Sequence, residues 1–180
     1  EQTTDFDRVA LVAIASGASP HTFGTTRPIE TMLERQLPDG SFPQKPSQKQ
    51  GWVNATAWSI FPLSTIETPP AEAAVAKAAQ WLIANQRTDG GWGWGAGGDA
   101  GLVDADTTGA VIQALNAAGL HDTEAERKAF ELLATMQGPD GGFRLHYDPG
   151  ITEAFRSGRV YNVSLWTYWD AITCPTSSLK

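Results

Sequence analysis

The chain is short of positive charge, cysteine, histidine and long apolar runs. Thirteen basic residues stand against 20 acidic ones in 180, a formal net charge of −7. No basic excess is present to neutralise a phosphate backbone, so nucleic acid is not an expected partner. A single cysteine, Cys174, excludes an internal disulfide framework and any cysteine-rich zinc module. His21, His121 and His146 are scattered, and no metal or other cofactor is expected. The longest clean apolar run, Val9 to Ala15, is far below the roughly 20 residues of a membrane span. Neither a Gly-x-Ser-x-Gly elbow nor a phosphate-binding loop occurs. The first five residues, Glu1 to Asp5, hold no basic stretch and no methionine, which suggests no signal peptide and a processed or excised piece.

What the chain does have is apolar material for a core, at 41% of residues, and a repeat. Gln36-Leu-Pro-Asp39-Gly40-Ser41-Phe42 matches Gln86-Arg-Thr-Asp89-Gly90-Gly91-Trp92 and Gln137-Gly-Pro-Asp140-Gly141-Gly142-Phe143. The shared pattern is Gln, two residues, Asp-Gly, a small residue and an aromatic. A seven-residue pattern returning at near-constant spacing predicts a stacked array of like units.

Each copy follows a run of helix formers. Ala71 to Gln86 places Val75, Ala78, Ala79, Leu82 and Ile83 on one face, with Pro69-Pro70 as a start signal. Thr123 to Gln137 opens with Thr123 and Glu126 in capping-box spacing. Asp-Gly is then expected to stop the helix, since glycine accepts a left-handed backbone. A second helix follows each motif. Asn54 to Leu63 aligns with Asp106 to Leu115, Asp5 to Ile14 aligns more weakly, and Val160 to Ile172 holds the same place after the third motif. Asp, Asn, Ser or Thr at each start suits a capping side chain, and Pro62 is expected to kink its helix. This predicts an all-α fold of about seven helices, three hairpins plus an opening helix. The whole chain, 1–180, is read as one domain with repeats near 5–50, 51–101, 102–158 and a partial 159–175. Gly90 to Gly101 reads as a loop inside the array, because the repeat stays in phase across it.

Gln-x-x-Asp-Gly-Gly-Trp followed by Asp104-Ala105-Asp106-Thr107-Thr108 resembles the repeat of squalene–hopene cyclases and protein prenyltransferase β subunits. It is equally similar to bacterial repeat proteins of the same superfamily without established chemistry, and to the helical domain of cobalamin-transport proteins. The resemblance spans Asp5 to Cys174 and implies an α/α toroid. Its hairpins stack in two concentric layers, and the helices that open with Asp or Asn line a cavity. The hairpins found here make about half a ring, so self-association or additional hairpins are expected to complete it.

The resemblance also implies chemistry. Class II terpene cyclases carry Asp-x-Asp-Asp, whose middle aspartate protonates an alkene or epoxide. Matched residue by residue, Asp106 is the proton donor and Asp104 the supporting carboxylate. Thr107 replaces the last acid. The competing structural role is that Asp106 caps its helix, as Asn54 would in the preceding repeat. Among the many aromatics, Trp92 is expected to pack between hairpins. Trp58, Trp166 and Tyr168, with Thr107 and Thr108, are the expected ligand contacts, since aromatic faces stabilise cations. No two aspartates are adjacent, which excludes the Asp-Asp-x-x-Asp cluster that holds magnesium and diphosphate. His146, Tyr147 and Asp148 read as a surface loop, and Arg144, Arg156 and Arg159 as a solvated cationic group.

Three functions fit this reading. The first is a non-catalytic module that binds an apolar or isoprenoid-like ligand or a partner. The alternative is a class II terpene cyclase domain with Asp106 as general acid. The third is a structural or cell-surface module. Secreted relatives favour an extracellular place, whereas a terpene cyclase would be cytoplasmic.

Overall fold

The computed structural model describes residues 1–95 and 102–149. Six helices occupy them: α1 (Thr3–Ala15), α2 (Pro28–Arg35), α3 (Val53–Leu63), α4 (Pro69–Ala84), α5 (Ala105–Ala117) and α6 (Glu124–Met136). No strand occurs among the described residues, only isolated antiparallel bridges. The expected helix Val160–Ile172 lies outside the described residues, as does the stretch 96–101.

The odd-numbered helices pack side by side, α1 on α3 and α3 on α5. Each even-numbered helix packs behind its predecessor, α2 on α1, α4 on α3 and α6 on α5. This gives an inner and an outer layer, the partial α/α toroid. Between them lies an apolar core that includes Phe6, Met32, Phe42, Ile60, Leu82, Trp92 and Leu115, with a smaller cluster of Val103, Leu132 and Met136 beside it. The start signals act as expected. Pro69 and Pro70 open α4, and Thr123 and Glu126 form the capping box of α6.

Other helix ends correct the sequence reading. Asn54 does not cap α3; its cap position is Trp52, without a side-chain bond. The first-turn N–H groups of α3 are instead met by the loop after the second motif. Val53 donates to the Gly95 carbonyl at 3.0 Å and Asn54 to that of Trp94 at 3.3 Å. A backbone partner from the next repeat makes a capping side chain unnecessary. Pro62 falls in the last turn of α3, where the helix ends one residue later at Leu63. Nor does Asp-Gly stop the preceding helices. They end at Arg35, Ala84 and Met136, before the motif begins to turn.

The motif is a separate closed turn. Leu37 N–H donates to Ser41 O, and Gly40 N–H donates back to Leu37 O, both at 2.9 Å. The same pair of bonds recurs at Arg87–Gly91 and Gly138–Gly142. The aspartate carboxylate accepts from the backbone two residues on, at Ser41, Gly91 and Gly142. Glycine is required at the tip for two reasons. Its φ is +91° at Gly40 and +95° at Gly90, and a Cβ at either would lie 2.7 Å from a carbonyl oxygen, that of Lys77 on α4 or Lys128 on α6.

The glutamine completes the joint. Gln36 Nε2 donates to Gly40 O at 2.9 Å and to Ala74 O on α4 at 2.8 Å. Gln86 Nε2 donates to Gly90 O at 2.8 Å and to Ala125 O on α6 at 2.6 Å. The aromatic then fills the space between repeats. Phe42 and Trp92 are fully buried, and the Trp92 indole N–H donates to Leu82 O at 2.8 Å. Their backbone N–H groups donate to threonines of the following inner helix, Phe42 to Thr56 at 2.9 Å and Trp92 to Thr108 at 3.1 Å.

One acid sits inside this packing. Asp7 on α1 is fully buried. Ser59 Oγ of α3 donates to its Oδ1 at 3.1 Å, while Oδ2 has no partner among the described residues. Burial pushes its carboxyl well above the usual range, opposed by the Ser59 bond and by the charges of Arg8 and Arg35. A raised folded-state value means that the native chain holds the proton more tightly than the unfolded one. Stability therefore falls as pH rises from the unfolded carboxylate value, about 3.9, toward the folded one.

Two outcomes follow for denaturant unfolding. Gly141→Ala, whose site has φ +85° and no described atom within 4 Å of a new Cβ, should cost about 1–2 kcal/mol through backbone conformation alone. Gly90→Ala should cost about 1–3 kcal/mol more, because the Lys128 carbonyl must also move. Asp7→Asn should gain stability relative to the parent as pH is raised from 4 to 7; a pH-independent difference would contradict the buried-acid assignment.

Candidate active site

The Asp104–Thr108 segment lies where three pieces of chain meet. The second motif lies against it, with Asp104 N–H donating to Trp92 O at 3.1 Å. The third motif's loop lies on its other side. Ala105 N–H donates to Leu145 O and Tyr147 N–H donates to Val103 O, both at 2.8 Å. This pairs Asp104 with His146.

The two aspartates have different tasks. Asp104 is the cap of α5: it is 4% exposed, and its carboxylate accepts from Thr107 N–H at 2.6 Å. The Trp94 backbone N–H donates to it as well. Burial raises the Asp104 carboxyl above its usual value, and the charge of Asp106 adds to this. The N–H groups of Thr107 and Trp94 oppose it. Asp106 lies in the first turn of α5 and is exposed. The capping task considered for Asp106 thus belongs to Asp104, two residues earlier.

Asp106 heads a stripe. On α5 the exposed positions are Asp106, Gln113 and Ala117, with Ala110 half-buried between them; on α3 the corresponding half-buried positions are Asn54, Trp58 and Phe61, followed by exposed Thr65 just past the helix end. The spacing is the same on both helices and follows one helical face. Among the described residues no outer helix packs on that face, which makes it the inner surface of the partial ring. Trp58 and Phe61 meet there edge to face, with centroids 5.6 Å apart. Asp106 and Trp58 therefore occupy corresponding faces of neighbouring helices.

Other expected residues are placed elsewhere. Thr108 is fully buried in the joint, accepting from Trp92 N–H and donating to Trp92 O at 3.3 Å. Thr107 is 4% exposed, with its backbone committed to Asp104. Trp166 and Tyr168 lie outside the described residues, as do Arg156 and Arg159. Arg144 is buried, and Nη1 donates to Asp148 O at 3.3 Å. Burial lowers its guanidinium below the usual value.

Sequence reasoning missed two neighbours of the aspartates. Trp94, half exposed, stacks obliquely on Trp52 with centroids 5.1 Å apart, and its backbone binds Asp104. His146 was expected in a surface loop, yet it is half-buried across from Asp104. Burial lowers its imidazole below the usual histidine value; a hydrogen bond to the Val103 backbone opposes this, and Arg144 adds to it. A histidine 42 residues downstream carries no local signal of this pairing. No group of three or more metal-ligating side chains occurs among the described residues. A shallow depression beside Glu1, Asp5 and Lys45 lies at the start of α1, away from this cluster.

The division of labour has a measurable consequence. Asp104→Ala should destabilise the chain by about 1–2 kcal/mol, the usual loss for a helix cap. Asp106→Asn should change stability by less than about 0.5 kcal/mol, as for an exposed side chain. Chemical denaturation of both variants checks this; equal losses would mean that both aspartates are structural.

Comparison with known proteins agrees with this architecture. Residues 3–155 match the model of the squalene-hopene cyclase C-terminal domain. Among solved structures, type II terpene cyclase MstE from Scytonema superposes with a TM-score of 0.50 at 24% identity, covering 86% of this chain and 39% of that one. A variant of MstE in complex with its product, merosterolic acid A, gives 0.51 at 24% identity, covering 93% and 44%. The chain thus spans about two-fifths of the length of these cyclases. No curated protein sequence matches it. The family match covers most of the chain and the likeness to MstE shows the same helical architecture: the chain belongs to the squalene-hopene cyclase C-terminal domain family.

Proposed function

We propose that this chain is the acid-bearing domain of a class II terpene cyclase, with Asp106 as the proton donor. The observation that carries the reading is the separation of the two aspartates. Asp104 holds the helix end, which leaves Asp106 without a structural task on the inner face. MstE, a type II terpene cyclase, has been captured with geranylgeranyl dihydroxybenzoate as substrate and merosterolic acid A as product. The substrate class proposed for this chain is accordingly a polyene with a long isoprenoid chain.

In the proposed reaction, the Asp106 O–H bond breaks and its proton forms a C–H bond with the alkene π pair. The adjacent carbon becomes cationic and is attacked by the next alkene, closing a ring. The last cation loses a proton to water and solvent returns one to the Asp106 carboxylate, so product and substrate have the same composition. Trp58 and Phe61 present aromatic faces and edges along the inner surface, where a travelling positive charge is stabilised by ring quadrupoles. Asp104, fixed by two backbone N–H groups, supplies a carboxylate beside the donor. Its ties to Thr107 and Trp94 keep the first turn of α5 in place. Protonating an alkene requires that water be excluded. Asp106 is exposed in the described structure, so the reading requires a second domain or further hairpins over the inner face.

The test is product analysis by mass spectrometry with squalene, farnesyl diphosphate and geranylgeranyl diphosphate, using a polypeptide that carries this chain together with its covering domain. A cyclised isomer should form, and Asp106→Asn should lower its rate by about 10²–10⁴-fold, the range of general acid catalysis, with no loss of folding. Undiminished turnover in Asp106→Asn would sink the proposal. Failure to cyclise, together with an apolar molecule that co-purifies, would favour the non-catalytic binding module.

A further inference from the structure

The seam between α1, α2 and α3 holds two polar groups that the rest of the fold leaves unmatched. Asp7 on α1 is fully buried, and its Oδ2 has no partner among the described residues. Arg35, the last residue of α2, has its Nη1 buried and likewise without a partner among them. One atom is an acceptor and the other a donor. They share a neighbourhood. The Arg35 guanidinium carbon stands 4.5 Å from the ring centroid of Phe6, the residue before Asp7, and its charge acts on the Asp7 carboxyl.

Each group is held by a contact that suits an uncharged acid. Asp7 Oδ1 accepts from Ser59 Oγ of α3 at 3.1 Å. The Arg35 cation lies on an aromatic face, whose quadrupole attracts it. Burial keeps the proton on Asp7 well above the usual carboxylate range, and a neutral acid does not draw the guanidinium off the ring. An ionised Asp7 would, because a buried carboxylate is strongly destabilising unless a cation reaches it. The groups able to meet it are few. The helices packed on α1 are α2 and α3. No titratable side chain occurs on α3, which brings Ser59 alone to Asp7. On α1 itself Asp5 opposes ionisation, and Arg8 is exposed and pairs with Asp5 at 3.6 Å. Lys45 borders the depression at the start of α1, beside Asp5. On α2, Glu30 is bonded to His21 and Glu34 is exposed. Arg35 is the cation at this seam with a buried donor to give.

We propose that Asp7 and Arg35 form a pH-operated latch between α1 and α2. With Asp7 neutral, Arg35 lies on Phe6. When Asp7 gives its proton to solvent, the guanidinium leaves the ring and pairs with the carboxylate, Nη1 donating to Oδ2. Both states are folded. What changes is the contact that ties α2 to α1, from a cation on a ring to an ion pair. The latch abuts α3 at Ser59, the residue after Trp58, and so touches the helix that presents the inner aromatic face.

The test is NMR spectroscopy of the isotope-labelled full chain, titrated from pH 4 to 9. At the acid end the Phe6 ring current should shift the Arg35 side-chain protons upfield. That shift should vanish with the same midpoint at which the Asp7 carboxyl carbon titrates, while the backbone amides of α1 and α2 keep their native dispersion. Phe6→Leu should abolish the upfield shift. Arg35→Gln should move the Asp7 midpoint to higher pH, and Asp7→Asn should keep Arg35 on the ring throughout. The coincidence of the two midpoints is read in the parent chain, so a variant that fails to fold does not remove the test. Arg35 signals that stay constant while Asp7 titrates would overturn the proposal, as would an Asp7 that does not titrate in this range. So would an Arg35 transition that persists in Asp7→Asn, or collapse of the α1 and α2 amide signals as Asp7 ionises.

Discussion

The structure depends on one joint, in which a glutamine amide links a tight turn to the next outer helix. Two hydrogens on one nitrogen are used at once, one on the turn's own glycine carbonyl and one on a helix carbonyl 38 or 39 residues downstream. The left-handed glycine lets the helix backbone approach until no Cβ would fit. The aromatic that follows is then enclosed by both layers. Each buried amide or carbonyl left without its partner costs about 1–3 kcal/mol, so the joint fixes both the spacing of the repeats and their register. Long-range order in a helical array needs such a device, because apolar helix faces alone tolerate sliding.

The same joint sets the candidate site. Thr108 is drawn into the Trp92 backbone, which fixes the rotation of α5. With α5 so turned, Asp106 can only lie on the opposite, inner face, in line with the Trp58 and Phe61 face of α3. The acid's position is thus a by-product of the packing that holds the repeats together. Asp104 and the Leu145–Tyr147 loop close the end of that helix, and His146 arrives there as a consequence of the third turn.

Much of this was legible in residues. The three Gln-x-x-Asp-Gly copies and the apolar stripes of α4 and α6 give the layered all-α array directly, and Thr123 with Glu126 marks a helix start that the structure reproduces. Other features were not legible for a physical reason. The end of α3 is satisfied by Gly95 and Trp94 of another repeat, so no capping residue near Asn54 could reveal it. Asp104 and Asp106 are equally acidic in sequence, and the helix start that separates their tasks lies between them. Asp7 looks like any acid near a helix start until α3 covers it.

The sequence by itself determined the periodicity, the helical class and the chemistry available at Asp104–Thr108, because these follow from local propensity and from residue types recurring at fixed spacing. Tertiary structure alone decided which aromatics are enclosed, that the Trp94 backbone joins Thr107 on Asp104, and that His146 meets Asp104. Those outcomes rest on hydrogen bonds and burial between residues up to about 40 positions apart. One chain segment cannot encode them until its neighbours are in place.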